Sequence, residues 1–106
     1  MARMIDTIPD TEIATASTAT KIYEIPPGMR AYLRNLIITN LATSAATVEI
    51  WSGSGTGSAY RIATVRVAAG DTLALAKEIE GRVAIEDIYV ISDQTPVRVS
   101  GAVELE

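Results

Sequence analysis

The sequence predicts an all-β protein: an antiparallel β-sandwich or jelly-roll-like fold of about eight short strands. Short runs of β-branched and aliphatic residues recur at intervals of roughly 8–12 residues, separated by turn residues, as in sandwiches and barrels. No long segment shows the 3.6-residue period of an amphipathic helix. The chain contains no Phe, so its core has to be built from Val, Ile, Leu and Ala, with four Tyr and one Trp. Its length of 106 residues fits one domain.

The N-terminal segment, residues 1–17, differs from the rest because it is polar, small and rich in Thr and Ala. Its apolar residues follow no sustained period, and Pro9-Asp10 is a turn signal. We therefore expect residues 1–17 to form an extended, loosely held arm that becomes ordered by lying along another subunit or a bound surface. The folded β-sandwich domain is then expected to span residues 18–106.

The predicted strands are bounded by Gly, Pro, Asn, Asp and Ser. They are, in chain order, residues 20–25, 31–39, 47–52, 61–67, 72–76, 82–85, 88–92 and 97–104. Residues 73–80 have a short helical turn as an alternative.

Most predicted strands alternate apolar and polar residues, which indicates one buried and one wet face. Two segments, 36–38 and 88–91, are instead apolar in both phases. In an antiparallel sheet this pattern means that the second face is also covered, either by a loop, by the N-terminal arm or by another subunit. Under the last interpretation, the interface candidates in these segments are Leu36, Ile38, Tyr89 and Ile91.

Trp51 and Tyr60 are two further interface candidates, because they flank the Gly-rich run 53–58. Trp51 continues the phase of Thr47 and Glu49, which places it on the wet face or at the strand end. Its ring is then able to meet that of Tyr60 across the hairpin. Three interpretations stay open: a cross-strand pair that caps the sandwich edge, an anchor at a subunit interface, or a sugar-stacking platform.

Catalytic, cofactor and metal sites are not expected. The chain has neither Cys nor His, so thiolate nucleophiles and the commonest general base and metal ligand are missing. The Gly-rich run lacks the Lys of a phosphate-binding loop and is followed by a strand, which favours a hairpin connection. The acidic pairs, at 10/12, 78/80 and 86/87, lack the spacing of a calcium loop and are interpreted as solvated turns.

Charge and hydropathy limit the partners. The net charge is −4 and the basic residues are scattered, so nucleic acid is not an expected partner. No stretch approaches the roughly 20 apolar residues that span a bilayer, and residues 1–10 contain no apolar core of a signal peptide. We therefore expect no membrane association and a soluble chain made in the cytoplasm.

The region 30–75 resembles small bacteriophage virion proteins. The likeness consists of a strand ending in Thr39-Asn40, a loop of small residues at 42–46, a Thr-Val-x-Ile strand at 47–50, and Val-Ala-Ala-Gly-Asp-Thr-Leu at 67–73. Such proteins include head-decoration (cement) proteins and minor head or tail components.

The resemblance implies a non-enzymatic virion structural protein that binds a capsid or tail lattice as a homo-oligomer, with a trimer favoured. It implies a location in the virion after synthesis in the host cytoplasm. The alternative hypothesis is a carbohydrate-binding or adhesion module that uses Trp51 and Tyr60.

Overall fold

A computed structural model describes residues 4–55 and 57–106, and in these ranges the chain forms nine strands in two antiparallel sheets. The strands are β1 (Met4–Ile13), β2 (Thr20–Tyr23), β3 (Ala31–Asn40), β4 (Ala46–Ser52), β5 (Tyr60–Val67), β6 (Thr72–Leu75), β7 (Val83–Ala84), β8 (Ile88–Ser92) and β9 (Val97–Leu105).

The strands pair in a nested order. Sheet A has the order β1-β9-β3-β6, with the two-residue strand β7 also paired to β3, and sheet B has the order β2-β8-β4-β5. The pairs β1·β9, β2·β8, β3·β6 and β4·β5 are those of one long hairpin rolled into two sheets, which is the jelly-roll arrangement. The predicted β-sandwich of jelly-roll type is therefore confirmed.

The strands predicted between residues 20 and 104 are all present, with ends that shift by a few residues. The β-branched runs and their Gly, Pro and Asn borders are local signals, so they mark these strands well. The alternative of a helical turn applies only after β6, where the backbone N–H groups of Ile79 and Glu80 both donate to the carbonyl of Ala76.

The N-terminal segment requires a correction. Residues 4–13 are extended, but they form β1, which pairs antiparallel with β9 along almost its whole length. Ile8 and Ile13 are fully buried in the core. The prediction of a loosely held arm with little packing was therefore wrong for these residues, and the folded unit does not begin at residue 18; residues 1–3 of the predicted arm lie outside the described range.

The local sequence pattern did not predict β1 because this strand contains a register shift between Ile8 and Thr11. The shift places the two buried isoleucines five residues apart, which destroys the two-residue period of a strand. The side of this edge strand that faces the core consequently carries few apolar residues, and the rest of the segment is polar. Backbone hydrogen bonds to β9 and the burial of two isoleucines stabilise β1, although its composition does not favour a strand.

The core lies between the sheets and is aliphatic. Its one buried amide, on Asn40, is fully hydrogen-bonded. Nδ2 donates to the carbonyls of Ser44 (2.9 Å) and Val67 (3.0 Å), and Oδ1 accepts from the N–H of Ala42 (2.9 Å). Asn40 therefore ties the β3–β4 turn to the end of β5, so a motif residue of the phage resemblance has a structural role here.

Candidate assembly surface

The outer side of sheet B carries three large side chains on its two central strands. Trp51 of β4 lies directly opposite Tyr89 of β8, and Ile91 of β8 lies opposite Glu49. All three are only half-buried. We call Trp51, Tyr89 and Ile91 the aromatic patch; the predicted outward phase of Trp51 is confirmed.

Trp51 is held in place by its neighbours on the same strand and in the following loop. Its indole Nε1 donates to Glu49 Oε1 at 2.9 Å, which fixes the ring against the sheet. Beside it is a cavity of about 110 Å³, whose lining is largely apolar. The lining residues are Ala19, Trp51, Gly53, Ser54, Gly55 and Ile91. The aromatic patch is therefore not flat but has a recess able to accept an apolar side chain from outside.

Tyr60 lies on the other side of its sheet. It is opposite the buried Ser52 and packs against the core, and its hydroxyl donates to the carbonyl of Val83. Trp51 instead lies opposite Arg61, after a register shift between Ile50 and Trp51. Neighbouring positions alternate between faces, so the two rings do not meet, and the expected pairing of Trp51 with Tyr60 was wrong.

Leu36 and Ile38 also differ from expectation. Both are fully buried between the sheets and cannot contact another subunit while the chain is folded. The residue between them, Ile37, points outward from sheet A and is 44% exposed. The sequence identified a strand that is apolar in both phases but assigned the interface to the wrong phase, because the register shift between Leu33 and Asn35 reverses which side faces inward.

In β8 the phase was assigned correctly. Ile88 and Val90 are fully buried, whereas Tyr89 and Ile91 face outward. On β3, the exposure of Ile37 shows that neither a loop nor the N-terminal strand fully covers its outer side within the described chain. Cover by another subunit stays a prediction for this face.

The outer side of sheet A is bordered by ion pairs. Arg98 contacts Asp10 through two nitrogens, at 2.7 and 3.0 Å, and Glu12 at 3.4 Å. The hydrogen bond to Asp10 and the charge of that carboxylate raise the pKa of the Arg98 guanidinium. Arg34 pairs with Glu104 toward the other end of the strands. Ile5 and Ile37 supply exposed apolar surface on this side.

The Gly-rich run connects the paired strands β4 and β5, as predicted, although Thr56 lies outside the described residues. The carboxylate of Glu86 lies against Gly53 and accepts a hydrogen bond from Ser58. A carboxylate thus lies beside the Gly-rich run. Within residues 4–55 and 57–106, no three metal-ligating side chains converge. The described chain also contains no helix that is long and apolar enough to cross a membrane.

Comparison with known proteins shows the fold alone. No family matches this sequence, and no curated protein matches it. The chain is similar in structure to a chain from Bacillus endospore appendages, which are described as a novel family of disulfide-linked pili. The two chains are 14% identical with a TM-score of 0.54, and the match covers 97% of this chain and 86% of the other.

The structural neighbour thus belongs to a surface assembly. This sequence contains no cysteine, so the disulfide linkage described for the neighbour has no counterpart in it. This comparison does not test the resemblance to bacteriophage virion proteins, which stays a prediction.

Proposed function

We propose that this chain is a non-enzymatic structural subunit that assembles with copies of itself. The observation that carries the proposal is the aromatic patch: Trp51, Tyr89 and Ile91 lie side by side on central strands, and the chain itself leaves them half-exposed. Trp and Tyr are enriched at protein interfaces because they bury a large area at a small entropic cost.

The setting we propose is a virion, with the assembled chain bound to a capsid or tail lattice. The support for this setting is the resemblance of residues 30–75 to phage decoration and minor head or tail proteins. The fold shared with an appendage protein supports an assembly role, since it shows the same sandwich in a chain from a structural polymer. Synthesis in the host cytoplasm belongs to the same proposal.

The carbohydrate-binding alternative loses its basis. It required Trp51 and Tyr60 on one platform, and these side chains lie on opposite sides of sheet B. We therefore do not propose it.

The test is to measure the mass of the wild-type chain and of Trp51→Ala by sedimentation velocity over a range of concentrations. We expect the wild-type chain to associate, and we expect Trp51→Ala to weaken association about 30-fold, the effect of a hot spot of about 2 kcal/mol. Ile85→Ala is the control, because Ile85 is 53% exposed but lies in the connection between β7 and β8 and is not a residue of the aromatic patch. A wild-type chain that stays monomeric at all concentrations would contradict the proposal.

A further inference from the structure

We propose that copies of this chain associate head to tail, with the outer side of sheet A of one copy against the outer side of sheet B of the next. The proposal rests on the proposed function, because it assumes that the chain assembles with itself. It adds which surfaces meet and what kind of assembly they form.

The outer side of sheet B carries two arginines along its edge strand β5, next to the aromatic patch. On β5, Arg61 and Arg66 lie on it, and the carboxylate of Glu49 lies on the neighbouring strand β4. Lys21, on the other edge strand β2, is balanced by Glu24 (3.0 Å) and Asp87 (3.6 Å). Arg66 contacts the hydroxyl of Thr47 at 3.5 Å, and Arg61 forms no ion pair with any described residue. Within residues 4–55 and 57–106, neither arginine of β5 thus has an acidic partner.

The outer side of sheet A has the opposite balance. Among the described ion pairs on this side, Arg34 pairs with Glu104, and Arg98 pairs with both Asp10 and Glu12. Asp10 and Glu12 share one guanidinium, so one negative charge is in excess near the β1 edge. Complementary charge on two surfaces steers their encounter and fixes which surfaces pair.

The same charges argue against a symmetric dimer through either side. In a two-fold contact each surface meets an identical copy of itself. Sheet B against sheet B would bring Arg61 and Arg66 toward the like charges of the partner, and sheet A against sheet A would do the same with the excess carboxylate. Like-charge contacts disfavour such pairings, whereas a head-to-tail contact brings Arg61 and Arg66 toward Asp10 and Glu12 where β5 of one copy meets β1 of the next.

Apolar surface is available on both sides of this contact. The aromatic patch and its recess lie on sheet B, and Ile5 and Ile37, which are 67% and 44% exposed, lie on sheet A. The strands are 4–10 residues long, and at about 3.3 Å per residue and 4.8 Å between strands each four-stranded face covers roughly 400–500 Å² in projection. A standard interface buries about 800 Å² of accessible surface per partner. Projecting side chains make the accessible area of a face larger than its projected area, and an interface of this size therefore needs the whole face.

The geometry of a sandwich decides the form of the assembly. The two outer sides point in opposite directions, because the sheets pack with their inner sides together. A head-to-tail contact closes into a ring only if the rotation between copies returns to the start, and otherwise it gives an open filament. Opposed faces give a nearly straight stack, so we expect a filament rather than the trimer that the phage resemblance implies.

The test uses two variants that each block one side. Ile37→Lys places a cation on sheet A, where the arginines of a second copy would approach. Arg61→Glu combined with Arg66→Glu reverses the charge of sheet B at two exposed positions. Leu41→Lys is the control, because Leu41 is 50% exposed but lies in the β3–β4 connection, outside both surfaces. Thr7→Lys, on the exposed edge strand, replaces Ile37→Lys if that variant unfolds.

Light scattering then gives the masses of each variant and of an equimolar mixture. We expect the wild-type chain and Leu41→Lys to grow in mass with concentration, each blocked variant to stay monomeric, and the mixture to form a complex of one copy of each. A wild-type chain that never associates overturns the proposed function and this inference together. Wild-type association without a complex in the mixture, or a sheet A variant that dimerises alone, overturns only the head-to-tail arrangement.

Discussion

Replacing Ile8 with alanine measures whether β1 is part of the folded core. Ile8 is fully buried and pairs with Gly101 in β9. Removing a buried Ile side chain down to Ala costs about 2–5 kcal/mol, from lost burial plus the cavity that remains. In a domain of about 100 residues, 1 kcal/mol moves the melting temperature by about 4–8 °C, so we expect Tm to fall by about 10–30 °C.

Ile5→Ala is the matched control on the same strand. Ile5 is 67% exposed and three residues away, so the same chemical change leaves little cavity. We expect its effect on the free energy of unfolding to stay within about 0.5 kcal/mol. Circular dichroism during thermal and urea unfolding gives both numbers, provided that the m-values of the two variants agree.

Equal stability of Ile8→Ala and Ile5→Ala would refute the reasoning. It would mean that Ile8 is not packed between the sheets, and that residues 4–13 are a loosely held arm after all. The experiment therefore separates the interpretation based on composition from the one based on strand pairing.

Gly101→Ala should abolish cooperative unfolding or lower Tm strongly, because a Cβ at this position would lie 2.2 Å from the backbone oxygen of Asn35 in β3; Gly57→Ala, which meets nothing within 4 Å, should leave the thermal melt unchanged. Burial, with the hydrogen bond to Asp6 (2.7 Å) and the charge of that carboxylate, raises the pKa of the Tyr23 phenol above its ordinary value of about 10. The folded state thus holds this proton more tightly, so the contribution of Tyr23 is complete below pH about 10 and falls as the pH rises above it. The stability difference between wild type and Tyr23→Phe in urea should shrink from pH 9 to pH 11, and parallel profiles would contradict this assignment.

Strands with a clean local pattern were predictable from the sequence. In β4, Val48 and Ile50 alternate with Glu49 and Trp51, and the structure buries the first two and turns the second two outward. One of the three residues of the aromatic patch, Trp51, follows directly from this alternation. The other two, Tyr89 and Ile91, were selected because β8 is apolar in both phases, a pattern that a strand with one wet face does not need.

Positions next to register shifts were not predictable. Leu36 and Ile38 were expected on the interface, but the shift between Leu33 and Asn35 turns them into the core and leaves Ile37 outside. In a run such as Leu-Ile-Ile, both phases are apolar, so the local sequence pattern does not indicate which side chains face inward. Tyr60 was misplaced for a related reason, because a shift in the β4–β5 hairpin decides which residue lies opposite Trp51.

The sequence by itself determined the all-β class, the sandwich, most strand positions and the outward direction of Trp51. These depend on β propensity, turn residues and the two-residue period, which act over a few neighbouring residues. Only the tertiary structure decided that β1 is an edge strand and that Trp51 lies beside Tyr89. These depend on which strands pair and in which register, and pairing is a contact between residues far apart in the chain, such as Ile8 and Gly101, that no local pattern records.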